Sequence, residues 1–174
     1  MKQTNISVFI PHYGCTHICS FCNQKTISGH SEPVTEKELE SILEGQLENL
    51  KDSGTKAQIA FFGGSFTAID RDYMIRLLTV AKRYTDAYPE QYDGIRCSTR
   101  PDCIDEEILD ILKSYGMTAI ELGAQSMNDE VLTANRRGHT AEDVRRASRL
   151  IKQSGFELGL QMMTGLYKDT EQYC

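Results

Sequence analysis

The sequence predicts an α/β fold in which parallel strands alternate with amphipathic helices. Short apolar runs bounded by turn residues recur along the chain, and segments with apolar residues at helical spacing separate them. Right-handed crossovers would arrange five such strands as an open, partial barrel or as a wound sheet. The chain has 174 residues, 40% of them hydrophobic, which suits one domain with a buried core.

The first strand is predicted over residues 6–11, and a polar stretch follows it as far as Pro33. Thr35 begins a helix with Glu38 as its capping-box partner, and Gly54 ends that helix. Its apolar residues recur at helical spacing and are expected to face the core: Leu39, Ile42, Leu43, Leu47 and Leu50.

The remaining elements continue the alternation to the end of the fifth strand. Strands are predicted at residues 58–62, 94–98, 118–122 and 156–163, and helices at 70–84, 105–115, 128–134 and 140–153. Ligands bind at the carboxyl ends of parallel strands, so the segments that follow each strand are expected to form one site.

Three cysteines in the spacing CxxxCxxC follow the first strand, at Cys15, Cys19 and Cys22. Three thiolates can hold a metal centre but leave one position open, which is typical of a reactive site. A structural zinc site with His12 or His17 as the fourth ligand is the alternative, and thiols that merely fill space are another. The absence of a second CxxC or an HxxxH pair favours iron–sulfur over structural zinc.

Charge and composition exclude some classes of protein. The net charge is −6 and the sequence pI is near 5.2, which argues against a surface built for nucleic acid. No apolar run approaches the roughly 20 residues of a membrane span, and no signal-peptide core is present at the start, so we expect a cytoplasmic protein without a membrane partner. Six cysteines in a reducing compartment indicate metal binding or catalysis.

Gly63-Gly64-Ser65 follows the second strand and would expose backbone amides and carbonyls to a ligand. An isolated pair of glycines more often marks a plain turn. Here the pair is expected at the same edge as the cysteines, which favours a ligand contact.

A basic stripe on the last predicted helix is usually a solvated face, and it is the first phosphate-binding candidate if the substrate is RNA. Its members are Arg145, Arg146, Arg149 and Lys152.

Cys97 is expected in the core. Cys103 is interpreted either as a spare thiol or as a site residue, and the sequence does not choose between the two.

Residues 9–166 resemble the radical S-adenosylmethionine (radical SAM) superfamily, most clearly in the cysteine loop with Phe21 before its last cysteine. The resemblance implies that Cys15, Cys19 and Cys22 hold a 4Fe-4S cluster whose fourth iron binds S-adenosylmethionine. It further implies that Phe21 packs on the adenine and that the glycine motif receives the methionine amino group.

The middle of the chain resembles the cores of two members of that superfamily, the Elongator catalytic subunit and oxygen-independent coproporphyrinogen oxidase. The segments that carry this resemblance are Thr99-Arg100-Pro101-Asp102, Glu121-Leu122-Gly123-Ala124-Gln125-Ser126 and Asn135-Arg136-Arg137-Gly138-His139-Thr140. Arg137 is expected near the substrate carboxylate, and Ser98 lies where relatives often carry a ribose-binding glutamate. The implied cofactor-binding residues are Phe21, Gly63, Gly64, Ser65, Ser98, Arg100, Glu121, Gln125, Arg137 and Gln161.

The resemblance implies a partial (β/α) barrel of parallel strands, a radical SAM-type core that occupies residues 1–174 as one domain and is truncated after the fifth strand. It implies an enzyme that cleaves S-adenosylmethionine reductively to a 5′-deoxyadenosyl radical, which acts on an unassigned substrate, RNA or a small molecule. A flavodoxin- or ferredoxin-like electron donor is the expected partner. The alternatives are a porphyrinogen oxidase-like activity and a non-catalytic zinc-binding module.

Overall fold

A computed structural model describes residues 3–10, 15, 19–22 and 32–170. Pro11, His12 and His17 lie outside these ranges, so the predictions made for them stay predictions. Within the described ranges, five strands form one parallel sheet in the order β1-β2-β3-β4-β5. The two edge strands, β1 and β5, do not pair with each other in this order, so the sheet is open. The predicted partial barrel is confirmed.

The elements agree with the predicted alternation, with boundaries that differ by at most three residues. The strands are β1 (Gln3–Ile10), β2 (Lys56–Gly63), β3 (Tyr92–Thr99), β4 (Met117–Gln125) and β5 (Glu157–Met162). The helices are α1 (Glu36–Ser53), α2 (Arg71–Ala87), α3 (Glu106–Ser114), α4 (Asp129–Ala134) and α5 (Ala141–Gln153). Two short 3₁₀ turns, Phe66–Ala68 and Pro101–Cys103, follow β2 and β3.

Helix α1 shows how local sequence sets the boundaries of an element. The hydroxyl of Thr35 accepts a hydrogen bond from the Glu38 amide at 3.3 Å, and the Thr35 amide donates to the Glu38 carboxylate at 2.7 Å. Gly54 ends the helix with a φ of 60°, a left-handed conformation that glycine adopts without a steric penalty. The capping box and the glycine stop are therefore both confirmed.

The core lies between the sheet and the helices. Leu39, Leu43, Leu47 and Leu50 of α1 are buried there, and Cys97 is fully buried as expected. Ile42 was expected in the same stripe but is 37% exposed. The buried stripe advances by four, four and three residues, and this spacing turns position 42 towards solvent.

The other face of the sheet carries polar residues, because neighbouring residues of a strand point to opposite faces. The Arg96 guanidinium donates from Nε to Gln58 at 2.6 Å and from Nη1 to Glu121 at 2.9 Å. These hydrogen bonds join polar side chains of β2, β3 and β4 on the face of the sheet opposite the hydrophobic core. This side leads to the carboxyl ends of the strands.

Candidate active site

A cavity of about 360 Å³ opens at the carboxyl ends of the strands. A cavity of this volume lies within the usual range for small-molecule sites, about 300 to 1,000 Å³. The residues that line it are Cys15, Cys19, Phe21, Cys22, Phe62, Gly63, Gly64, Ser98, Thr99, Arg100, Glu121, Gly123, Gln125, Arg137 and Gln161. Every residue predicted for the site, apart from Ser65, is in this lining.

The three cysteines of the CxxxCxxC segment lie on one side of the cavity. Cys19 is buried, Cys22 is half-buried and Cys15 is exposed. A backbone hydrogen bond from Cys22 N to Cys19 O, at 3.1 Å, closes a tight turn between two of them. Desolvation raises the pKa of the Cys15 thiol, and the negative charges of Cys19 and Cys22 raise it further. All three cysteines line the same cavity.

The described ranges contain no group of three His, Cys, Asp or Glu side chains that is assembled to hold a single metal ion. The donor set on the cavity wall is nevertheless three thiols, the ligand type that iron–sulfur clusters use.

Arg137 is a buried cation in the site, with only 7% of its surface exposed. Its Nη1 donates to the Cys19 sulfur at 3.1 Å, and Nη2 donates to the Gly123 carbonyl. Its guanidinium carbon lies 5.8 Å from the centre of the Phe21 ring. Within the described ranges, Nε has no hydrogen-bond partner. A buried cation with a spare donor creates a strong preference for an anion in the cavity.

Arg100 differs from Arg137 because its charge is already paired. Its guanidinium donates to both carboxylate oxygens of Asp102, each at 2.9 Å. The side chain is 5% exposed. Arg137 is therefore the cation with the greater demand for an anionic ligand.

The end of β4 is held in an uncommon backbone conformation. Gln125 has a φ of 65°, which residues other than glycine rarely adopt. The two carbonyls before it are engaged, that of Gly123 by Arg137 and that of Ala124 by the ring of His139 at 3.2 Å. Burial, followed by the charge of Arg137, lowers the pKa of His139, so a neutral imidazole is favoured. These contacts hold the backbone that leads into Gln125, and Gln125 itself lines the cavity.

Gly63, the last residue of β2, is required by close packing as well as by its place on the cavity. Gly63 has a φ of 107°, and a Cβ there would lie 2.9 Å from the Ile10 carbonyl oxygen and from the Phe9 ring. Gly64 N donates to the same Ile10 carbonyl at 2.7 Å. Only a residue without a side chain allows β1 to approach this closely.

The side chain of Ser65 lies behind the cavity wall instead of lining it. Its hydroxyl is 2.9 Å from the Thr99 hydroxyl and accepts from the Arg100 amide at 3.2 Å. The side chain is 1% exposed because these partners hold it inside the protein. Its backbone N–H, in contrast, bonds to the Cys15 sulfur and partly opposes the rise that desolvation causes in the pKa of that thiol.

A polar cluster lines the side of the cavity formed by β3, β4 and β5. Ser98 and Glu121 are register partners on neighbouring strands. The Gln161 amide donates to the Glu121 carboxylate at 2.7 Å and lies 3.5 Å from the Ser98 hydroxyl. This cluster can both donate and accept hydrogen bonds, as a ligand with hydroxyl groups requires.

Sequence reasoning did not assign three lining residues to the site, Phe62, Thr99 and Gly123. Thr99 and Gly123 lie in segments that carry the resemblance, Phe62 directly precedes Gly63, and the available signal was their place at the carboxyl end of a predicted strand. Cys103 is half-buried and does not line the cavity.

Comparisons with known proteins agree on one family. Residues 9–174 match the family described as the Radical SAM superfamily. Elongator complex protein 3 of Homo sapiens is 34% identical over 149 residues, which are 74% of this chain and 27% of that protein. The tRNA uridine(34) acetyltransferase of Methanocaldococcus jannaschii is 35% identical over 137 residues, 70% of this chain and 25% of that protein. The chain thus spans about a quarter of the length of these relatives.

Solved structures show the same fold at lower identity. The archaeal Elp3 of Methanocaldococcus infernus gives a TM-score of 0.69 at 21% identity, over 94% of this chain and 38% of that one. Coproporphyrinogen III oxidase of Escherichia coli, described as a radical SAM enzyme, gives a TM-score of 0.65 at 19% identity, over 98% of this chain and 39% of that one.

Proposed function

The chain belongs to the Radical SAM superfamily, a superfamily of enzymes, and on this premise we propose that it binds a 4Fe-4S cluster and S-adenosylmethionine in the cavity. Cys15, Cys19 and Cys22 are the proposed cluster ligands. The observation that carries the proposal is the buried Arg137, which lacks an acidic partner in the described ranges and lies 3.1 Å from the Cys19 sulfur. Such a site favours an anionic ligand beside the thiols.

The proposed cofactor contacts follow from the chemistry of each lining group. Arg137 would hold the carboxylate of S-adenosylmethionine, because it is the buried cation with a spare hydrogen-bond donor. Phe21 would pack against the adenine, and the backbone at Gly63 and Gly64 would accept the amino group. The full proposed set is Phe21, Gly63, Gly64, Ser65 through its backbone, Ser98, Arg100, Glu121, Gln125, Arg137 and Gln161.

When bound, the cluster would supply one electron for the reductive cleavage of S-adenosylmethionine to methionine and a 5′-deoxyadenosyl radical, the species proposed to abstract hydrogen from a substrate. The chain itself contributes binding and orientation. The polar cluster of Ser98, Glu121 and Gln161, which lines the same cavity as the thiols, offers hydrogen bonds to hydroxyl groups of a ligand. A flavodoxin- or ferredoxin-like donor is the proposed source of the electron.

We propose tRNA as the substrate class, and the similarity to the tRNA uridine(34) acetyltransferase supports this choice. The basic stripe on α5 does not add support. Arg145 and Arg149 bond to Glu142, and Arg146 bonds to Asp143, so carboxylates already neutralise much of that face.

A cytoplasmic location is part of the proposal, since low-potential cluster chemistry requires a reducing compartment. Within the described ranges, no helix combines the length and the apolar character that crossing a membrane requires.

A porphyrinogen oxidase-like activity is the second candidate, favoured by the fold shared with coproporphyrinogen III oxidase. It predicts affinity for a tetrapyrrole instead of tRNA. A zinc-binding module without catalysis is the third. Titrating the reconstituted protein with each ligand separates the first two, and metal analysis separates the third.

The test of the proposed cluster site is the metal content of two cysteine variants after anaerobic reconstitution with iron and sulfide. Cys19→Ala should hold little iron and sulfide compared with the wild type, because one ligand is lost. Cys103→Ala is the matched control and should keep the wild-type content, since Cys103 does not line the cavity. Wild-type iron content in Cys19→Ala would refute the assignment of Cys19 as a cluster ligand. Stoichiometric zinc instead of iron in the wild-type protein would favour the zinc-binding module.

A further inference from the structure

The side chain of Asn135 hydrogen-bonds to separate segments of the chain, and the proposed function gives this residue no role. It lies directly after α4, and its side chain is only 2% exposed. The Ser20 hydroxyl donates to Asn135 Oδ1 at 2.9 Å, and the Ser20 amide donates to the Asn135 carbonyl at 3.2 Å. Ser20 follows Cys19 directly, so both hydrogen bonds act on the backbone of the turn formed by residues 19–22, the cysteine turn.

The amide nitrogen of the same side chain donates to two backbone carbonyls outside the cysteine turn. Nδ2 donates to the Val131 carbonyl at 2.8 Å, within α4, and to the Tyr167 carbonyl at 2.9 Å, after β5. Both hydrogens of the amide nitrogen and its oxygen are therefore used inside the protein. A buried amide that is satisfied in this way has one orientation, since any rotation would leave polar groups without partners.

We propose that Asn135 is a positioning residue that fixes the cysteine turn against α4 and the segment after β5, and so keeps Cys19 and Cys22 in place for the cluster. The link to the cluster rests on the proposed function. The geometry makes asparagine specific. Aspartate would place an acceptor oxygen beside the carbonyls of Val131 and Tyr167, and alanine would leave the Ser20 hydroxyl and the Tyr167 carbonyl without this partner.

The first test uses the metal-free protein and measures how fast iodoacetamide alkylates Cys19, followed by peptide mass spectrometry. Cys19 is 8% exposed, so its alkylation reports opening of the turn. Asn135→Ala and Asn135→Asp should each raise the rate about tenfold, the factor expected when buried hydrogen bonds are lost.

Asn128→Ala is the matched control. Asn128 Oδ1 accepts from Glu130 N at 2.8 Å and from Val131 N at 3.4 Å, so this variant weakens the other end of α4 without touching the turn. Its alkylation rate should stay within about twofold of the wild type. Equal acceleration in the Asn128 and Asn135 variants would overturn the positioning role, because general loss of α4 stability would then explain both.

The second test measures how fast iron leaves the reconstituted protein in the presence of a chelator. Ser20→Ala and Asn135→Ala should both accelerate the loss. Ser20→Ala should add nothing to Asn135→Ala in the double variant, because the two side chains share one hydrogen bond. Additive effects would overturn the coupling between them.

The possible failures are distinguishable. A wild type that holds no cluster would refute the proposed function, while the alkylation rates would still decide whether Asn135 positions the turn. If circular dichroism shows that Asn135→Ala is unfolded, Ser20→Ala decides alone, since it removes one hydroxyl from an exposed residue. An unchanged alkylation rate in Ser20→Ala would then overturn the proposal.

Discussion

At the scale of single residues, Arg137 determines what the cavity can bind. It is buried, it contacts a cysteine sulfur and a ring of the cysteine turn, and its Nε has no partner in the described ranges. Arg100 is equally buried but donates twice to Asp102. Two arginines on one cavity thus have different roles, and the difference follows from their partners.

Arg137→Gln should weaken S-adenosylmethionine binding to the reconstituted protein by about tenfold or more, because a charge-assisted hydrogen bond is lost. Isothermal titration calorimetry under anaerobic conditions measures this change. Cys103→Ala should bind almost as tightly as the wild type. The reverse ranking of the two variants would show that Arg137 does not hold the carboxylate.

At the scale of elements, the close packing of β1 against β2 depends on Gly63, because any other residue there would introduce strain. A Cβ at Gly63 would lie 2.9 Å from the backbone of Ile10, whereas a Cβ at Gly45, in α1, would have no neighbour within 4 Å. The two glycines are therefore expected to respond in opposite ways to the same substitution.

Gly63→Ala should destabilise the protein by about 1 to 3 kcal/mol, since a positive φ and a steric clash combine. Gly45→Ala should stabilise it by about 0.5 to 1 kcal/mol, because alanine loses less conformational entropy in a helix. Urea unfolding of the metal-free variants measures both changes. Two changes of the same sign would contradict the packing described for β1 and β2.

At the scale of the whole molecule, the alternation of strands and helices was predictable because apolar periodicity and caps are local signals. The Thr35 box and the Gly54 stop show this for α1. The exposure of Ile42 and the inward hydroxyl of Ser65 were not predictable, since both depend on which neighbour packs against them. Sequence placed Arg137 in the site, but its contact with Cys19 requires two segments 118 residues apart.

Global stability should depend on alkaline pH through Tyr92, which joins β3 to α1. Its hydroxyl donates to the Leu43 carbonyl at 2.6 Å, and desolvation, with a smaller effect of Tyr88, raises its pKa to about 12. An unfolded tyrosine loses its proton near pH 10, so the free energy of unfolding falls as pH rises from about 10 to 12.

The contribution of Tyr92 to this loss should be about 1 kcal/mol at pH 11. Tyr92→Phe removes the ionisable group, so its stability should decline less steeply between pH 9 and 11. Tyr84, whose pKa is also raised to about 12 by burial, accounts for part of the remaining slope. Identical slopes for wild type and Tyr92→Phe in urea unfolding would contradict the assignment.

We propose that Cys15, Cys19 and Cys22 hold a cluster with an open iron position beside the Arg137 cavity. Electron paramagnetic resonance of the reduced, anaerobically reconstituted protein, with and without S-adenosylmethionine, is the first measurement to make. We expect a 4Fe-4S signal that changes when S-adenosylmethionine is added, because the cofactor would bind the open iron. A 4Fe-4S signal that S-adenosylmethionine leaves unchanged, or no cluster signal at all, would refute the proposed site.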